Sequence, residues 1–237
     1  MAKRSFRPPW WSVVLVVALS ALMISLGIWQ VNRGQAKAEM MSRYLAASTQ
    51  APREITSGAY AEPGLIERGR TAGQFDVDHQ LLLDNQSHDG VPGYRVWTPL
   101  LLPQGGIVVV DRGWIPAGGD RNQKPEIPAP GGEVAVTGYW RELPQPGMRL
   151  EVDNCVETPW PRIVQYPTVD EFRCIYGEFV AGGILLMDRD IAGGFTRDWT
   201  TAPEMSPTKH YGYAAQWFAF TLTLIVIFIV MNLKRKQ

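Results

Sequence analysis

Two uncharged apolar runs, one near each end, constrain this chain more than any other feature. Trp10 to Ile28 carries no charged residue, and neither does Ala214 to Leu233. Each is about 20 residues long, enough to cross a hydrocarbon layer of about 30 Å once as a helix. The charges are sorted to match. All 23 acidic residues lie between Gln30 and Lys209, where Lys and Arg number 17. The middle is therefore at −6. Lys3, Arg4 and Arg7 before it, and Lys234, Arg235 and Lys236 after it, stand without an acid. Basic flanks stay on the cytoplasmic side. The expectation is a hairpin with both termini inside and the middle translocated. The boundaries are a cytoplasmic tail over 1–9, a first span over 10–29, an extracytoplasmic domain over 30–209, a second span over 211–233 and a tail over 234–237. The alternative is a cleaved leader ending at Ala18-Leu19-Ser20, against which the apolar run continues eight residues further.

Between the runs the pattern is that of short strands. The first helix is expected to continue to about Leu45, because Trp29, Arg33 and Lys37 share one helical face and no breaker precedes Pro52. Residues 46–70 read as irregular. Strand-like stretches then recur over 71–76, 80–84, 94–102, 106–114, 133–141, 163–166 and 184–188, bounded by turn residues. Gly90-Val91-Pro92-Gly93 and Gln104-Gly105-Gly106 read as turns, the latter inside a hairpin. Thr168 with Glu171 is a capping box for a helix over 169–176, and 116–132 reads as one long surface loop. The fold class predicted is two transmembrane helices, N-in and C-in, flanking a mainly antiparallel β (α+β) extracytoplasmic domain. That domain is a small barrel or sandwich with its β core over about 71–190.

Candidate chemistry is sparse. Cys155 and Cys174 either close a disulfide, worth about 3 kcal/mol in an oxidising compartment, or remain buried thiols. His79 and His88 lie among aspartates but read as residues at strand ends, since Ser87 and His88 would point to opposite faces of a strand. The sequence contains no nucleophile-elbow, zinc-protease or phosphate-loop pattern. An acidic domain outside the cytoplasm has no electrostatic reason to bind nucleic acid. Over 84–116 the unusual residues have structural explanations; a stacked Arg112–Trp114 pair is one.

The two membrane ends are more informative. Trp29, Gln30 and Arg33 leave the first span on the side where His210 enters the second, so Arg33 and His210 share a depth. His210, Ala214, Trp217, Thr221 and Leu224 form a helical stripe, with Tyr213 beside it. Ala214 leaves space next to the imidazole for a planar ligand above Trp217. An imidazole at a helix mouth is a ligand candidate; the competing reading is an aromatic belt of Trp10, Trp11, Trp29, Tyr211 and Trp217.

Four segments in order carry a resemblance to the surfeit locus protein one family of cytochrome c oxidase assembly factors, bacterial type. They are Gly27-Ile28-Trp29-Gln30 with Arg33 and Lys37; Leu82-Leu83-Asp84-Asn85-Gln86 leading to Gly93-Tyr94 and Thr98-Pro99-Leu100; Val110-Asp111-Arg112-Gly113-Trp114-Ile115-Pro116; and His210 with Tyr213-Ala214 and Trp217-Phe218. The family usually has Asn where Asp111 stands. The resemblance implies a non-enzymatic assembly factor in the bacterial inner membrane, with its main domain in the periplasm. It would bind haem a transiently and aid its delivery into oxidase subunit I, with haem a synthase as a further partner. The resemblance makes His210 the ligand of the haem iron. Arg33 and Lys209 are the cations nearest in depth to the anionic propionates, and Trp217, Tyr213, Ala214 and Trp29 complete the expected cofactor-binding set. No second axial histidine comes from the spans, which suits a carrier that releases its cargo. The rival expectations are a cofactor-free scaffold that docks oxidase subunits through the surface over 84–116, and a periplasmic enzyme using His79 or His88.

Overall fold

The computed structural model describes residues 4–6, 8–119, 124–145, 153–199 and 206–235. In chain order the elements are β1 (Arg4–Phe6), α1 (Trp10–Ser48), β2 (Arg53–Glu54), β3 (Ile66–Phe75), β4 (Leu81–His88), β5 (Val91–Leu101), β6 (Ile107–Pro116), β7 (Glu133–Arg141), β8 (Arg162–Val164), α2 (Val169–Tyr176), β9 (Ile184–Met187), α3 (Pro207–Asn232) and β10 (Leu233–Arg235). Contacts divide the chain into two units, 1–42 with 202–237, and 43–201.

In the first unit, α1 and α3 are each long and apolar enough to cross a membrane. Only 6% and 11% of their most apolar windows are buried, unlike the core helices of a soluble fold. The 39 residues of α1 span about 58 Å, well beyond a bilayer core. The helices run antiparallel: α1 lays Gly27, Gln30 and Gly34 against Phe218, His210 and Tyr211 of α3. The covered positions of α1 (Ser20, Met23, Gly27, Gln30, Gly34) and of α3 (His210, Ala214, Trp217, Thr221, Leu224) alternate in steps of three and four. That is the seam of a left-handed helix pair. Glycines seven apart permit the approach. A Cβ on Gly27 would stand 2.6 Å from Phe218 Cε1, and one on Gly34 2.8 Å from Tyr211 Cε1. At the far end β1 pairs antiparallel with β10, and Phe6 meets Phe228 edge-on at 5.8 Å.

The second unit is an eight-stranded mixed sheet in the order β2-β3-β7-β9-β6-β5-β4-β8. It closes on itself where β3 also pairs with β5 through Gln74–Leu101 and Phe75–Leu100. The closed ring is β3-β7-β9-β6-β5, which removes the edges of its member strands. Val108 and Val110 of β6 join one core with Leu100, Val136, Leu185 and Met187. Val109, on the other face, joins a second core with Leu83, Trp97 and Phe172. Burial on both faces explains why 107–110 is an unbroken apolar run. Phe172 is brought there by α2, whose capping box forms: Thr168 Oγ1 accepts from Glu171 N, and Glu171 returns a bond to Thr168 N at 2.6 Å. Cys155 and Cys174 form a disulfide with Cα atoms 5.9 Å apart.

Several sequence expectations need correction. The stretch 46–70 is not irregular throughout: α1 runs to Ser48 and β3 begins at Ile66. Extended chain continues to His88 through a bulge between Leu83 and Gln86, so the turn falls at Asp89-Gly90 instead of 90–93. Three pairings are parallel, β2–β3, β4–β8 and β6–β9, giving a mixed sheet. The hairpin after β5 forms as expected, with Gly105 and Gly106 at positive φ and Leu102 N bonded to Gly106 O. The 116–132 segment is not simply surface: Ala117 and Ile127 are buried, and the carbonyls of Ile127 and Pro128 accept bonds from Gln80 and Arg112. Residues 120–123 of that loop lie outside the described residues.

Candidate functional site

The stripe on α3 is the helix–helix seam. His210 is 5% exposed, Ala214 3% and Thr221 6%. The space expected beside Ala214 is therefore covered by α1 and is not an open cleft, because small residues on both helices bring the backbones together. Ser206 caps α3, Pro207 opens its first turn, and His210 follows within that turn. His210 Nδ1 lies 2.6 Å from Gln30 Oε1. An amide oxygen only accepts, so Nδ1 carries the proton and Nε2 keeps its lone pair. Nε2 is covered and has no hydrogen-bond partner among the described residues. This donor set fits a metal-ligating imidazole, whose second nitrogen donates to an oxygen that fixes the ring.

The other expected site residues divide. Trp217 sits on the seam, half-buried, edge-on to Phe220 at 6.2 Å. Trp29 and Tyr213 are exposed, and so are Arg33 and Lys209. The charges of Lys37 and Arg33 on α1 both act on the His210 ring. Gln30, Gly27, Gly34, Tyr211 and Phe218 were absent from the expected site. The seven-residue spacing of the two glycines was the available signal for them.

The β domain uses its motif residues internally. Arg112 is fully buried and every nitrogen is paired: Nε with Gly193 O at 2.8 Å, Nη1 with Gln80 Oε1 and Thr98 Oγ1, and Nη2 with Pro128 O and Gly193 O. Its guanidinium faces the rings of Phe75 and Phe195, not Trp114 as expected. Burial, with help from Arg197, pulls its pKa down to about 10. Asp111 Oδ2 accepts from Arg95 Nε at 2.7 Å and Trp97 Nε1 at 2.9 Å, while Oδ1 accepts from Gly113 N. Of the charged residues over 84–116, Asp111 and Arg112 are thus interior, Asp84 and Arg95 are half-buried and Asp89 is exposed.

His79 Nδ1 contacts Asp76 at 2.7 Å and its ring meets Trp160 edge-on. His88 lies against Trp114, with Asp89 and Asp198 at 3.6 and 3.8 Å. Both histidines are held by aromatic rings and carboxylates. A cavity of about 380 Å³ is lined by Ser48, Arg68, Tyr139, Asp188 and Trp199, among others. Its charges answer each other: Arg68 makes a two-pronged bond to Asp188, and Arg189 pairs with Asp198. Burial disfavours the Asp188 carboxylate, but bonds from Arg68 and Thr137 outweigh it and hold its pKa below the usual carboxylate range.

Two apolar, largely exposed helices, one before and one after the mixed-sheet domain in the chain, fit a membrane-anchored protein. The SURF1 family model matches residues 17–222, most of the chain, and the chain belongs to that family. The family is associated with cytochrome c oxidase assembly and is not known for enzymatic activity. No curated protein matches the chain.

Proposed function

We propose that this chain is a membrane-anchored assembly factor that holds haem a, as cargo, through His210 and aids its delivery into oxidase subunit I. The observation that carries the reading is the buried imidazole with Nδ1 bonded to Gln30 and Nε2 covered and without a partner. Leaving a buried polar atom unpaired costs about 1–3 kcal/mol, a cost that ligation relieves. Haem a, when bound, would supply an iron that the His210 Nε2 lone pair could hold. Because Nε2 is covered, ligation requires the α1–α3 seam to part locally near Ala214 and Trp217. Arg33 and Lys209, with Lys37, are the cations at hand for anionic propionates, and Trp217, Tyr213 and Trp29 offer aromatic surface.

Both helices lie in the bacterial inner membrane with the basic tails inside and the β domain in the periplasm. Haem a synthase supplies the cargo, and lipid surrounds the outward faces of the helices. The test is haem a co-purification with wild type and His210→Ala, each expressed beside haem a synthase. Wild type is expected to carry haem a and the variant to lose it; equal haem in both removes His210 from the site.

A further inference from the structure

We infer that Gln30 is a positioning residue that sets the His210 tautomer and so makes Nε2 the ligating atom; the ligation half of this rests on the haem reading above. Oε1 bears no hydrogen, so the 2.6 Å contact requires the proton on Nδ1. The other tautomer would place an N–H on Nε2, where no acceptor stands among the described residues. Nε2 has no partner among the described residues in either form, so the contact between Nδ1 and Gln30 Oε1 decides the tautomer. The Nδ1–H tautomer is the form in which a neutral imidazole presents a bare Nε2 lone pair.

The geometry of α1 holds the amide in place. Gln30 sits on the seam between Gly27 and Gly34, and the rings of Phe218 and Tyr211 lie where side chains at those glycines would be. The two close approaches bracket Gln30 on both sides and fix the separation of the helices at its level. A half-buried glutamine amide at the end of the apolar run needs a hydrogen-bond partner, and His210 Nδ1 supplies it. Orienting partners of this kind change metal affinity by about 10–100-fold when removed.

The experiment uses the full chain in detergent with ¹⁵N-labelled histidine. Its three histidines are assigned with His79→Gln and His88→Gln variants. In the haem-free protein the His210 imidazole ¹⁵N shifts are expected to report a proton on Nδ1. Gln30→Leu, which removes the acceptor and keeps an apolar span, is expected to move the proton to Nε2 or to a mixture. Gln30→Glu, which keeps an acceptor, is expected to preserve Nδ1–H. Titration with ferric haem b, followed at the Soret band, is expected to show binding about 10–100-fold weaker for Gln30→Leu and recovered for Gln30→Glu. A wild type protonated on Nε2 overturns the proposal. So does a Gln30→Leu variant with unchanged tautomer, or one with a changed tautomer and unchanged haem affinity. A wild type that binds no haem while Gln30→Leu still flips the tautomer overturns the haem reading alone and upholds control of the tautomer by Gln30.

Discussion

The helix pair and the β domain each bury one cationic or potentially cationic side chain, and they treat it in opposite ways. In the β domain Arg112 gives every nitrogen an acceptor and adds two aromatic faces. In the helix pair His210 pairs one nitrogen and leaves the other covered and bare. A saturated buried network specifies a fold, because nothing further can bind without breaking it. An imidazole with a covered, unused lone pair holds binding capacity in reserve. The contrast separates a residue whose bonding is complete from one whose second nitrogen has no partner among the described residues, though both lie in the matched segments.

Substitutions can break the contrast. The largest effect is expected from Arg112→Ala. It strands the carbonyls of Gly193 and Pro128, at about 1–3 kcal/mol for each buried orphan, and removes one of the two donors to the Gln80 oxygen, which keeps Thr98. The loss should reach about 4 kcal/mol or more, read as the urea midpoint of the intrinsic tryptophan signal. A loss under about 1 kcal/mol would mean that the network is not structural. Gly34→Val comes next. Its Cβ would stand 2.8 Å from Tyr211, and overpacking of this kind costs about 1–3 kcal/mol. The loss should appear in the helix-pair transition, followed by far-ultraviolet dichroism in a denaturing-detergent titration, with the β-domain midpoint unmoved.

The smallest effect sharpens the β side. Asp188 has its folded pKa depressed, chiefly by Arg68 and Thr137 working against burial. Its contribution is therefore complete above the ordinary carboxylate value near 3.9. It fades as pH falls through the lower folded value. Thermal melts of wild type and Asp188→Asn should differ at pH 7, and the gap should begin to close only below about pH 4, as pH falls toward the lower folded value. A gap that persists in acid would show that the pair acts through packing alone.

Much of the scaffold was legible in the sequence for physical reasons. A charge-free run of about 20 residues has few alternatives to a helix, and Thr168 with Glu171 announces a cap because two backbone donors need partners there. The strands were visible through their turn residues, but parallel pairing and ring closure were not. Gln74–Leu101 and Phe75–Leu100 depend on where strands bend, which local pattern does not encode. At the site, periodicity found the His210 face but not what covers it, since a stripe on one helix does not name its partner. Gln30 was read as a motif position and as a residue at the mouth of the first span, level with His210, but not as its hydrogen-bond partner. The anchors of Arg112 were invisible because its main acceptors are backbone carbonyls of distant loops, Gly193 and Pro128.

Asp111 carries a last consequence. Three donors converge on its two oxygens, and one of them, Arg95, also stacks on Trp199 at 4.0 Å. An asparagine at 111 offers one oxygen and turns a donor toward donors. With its oxygen kept toward Arg95 and Trp97, that amide would set Nδ2 against the Gly113 N–H, so the cost would fall on the turn at Gly113 and not on the arginine.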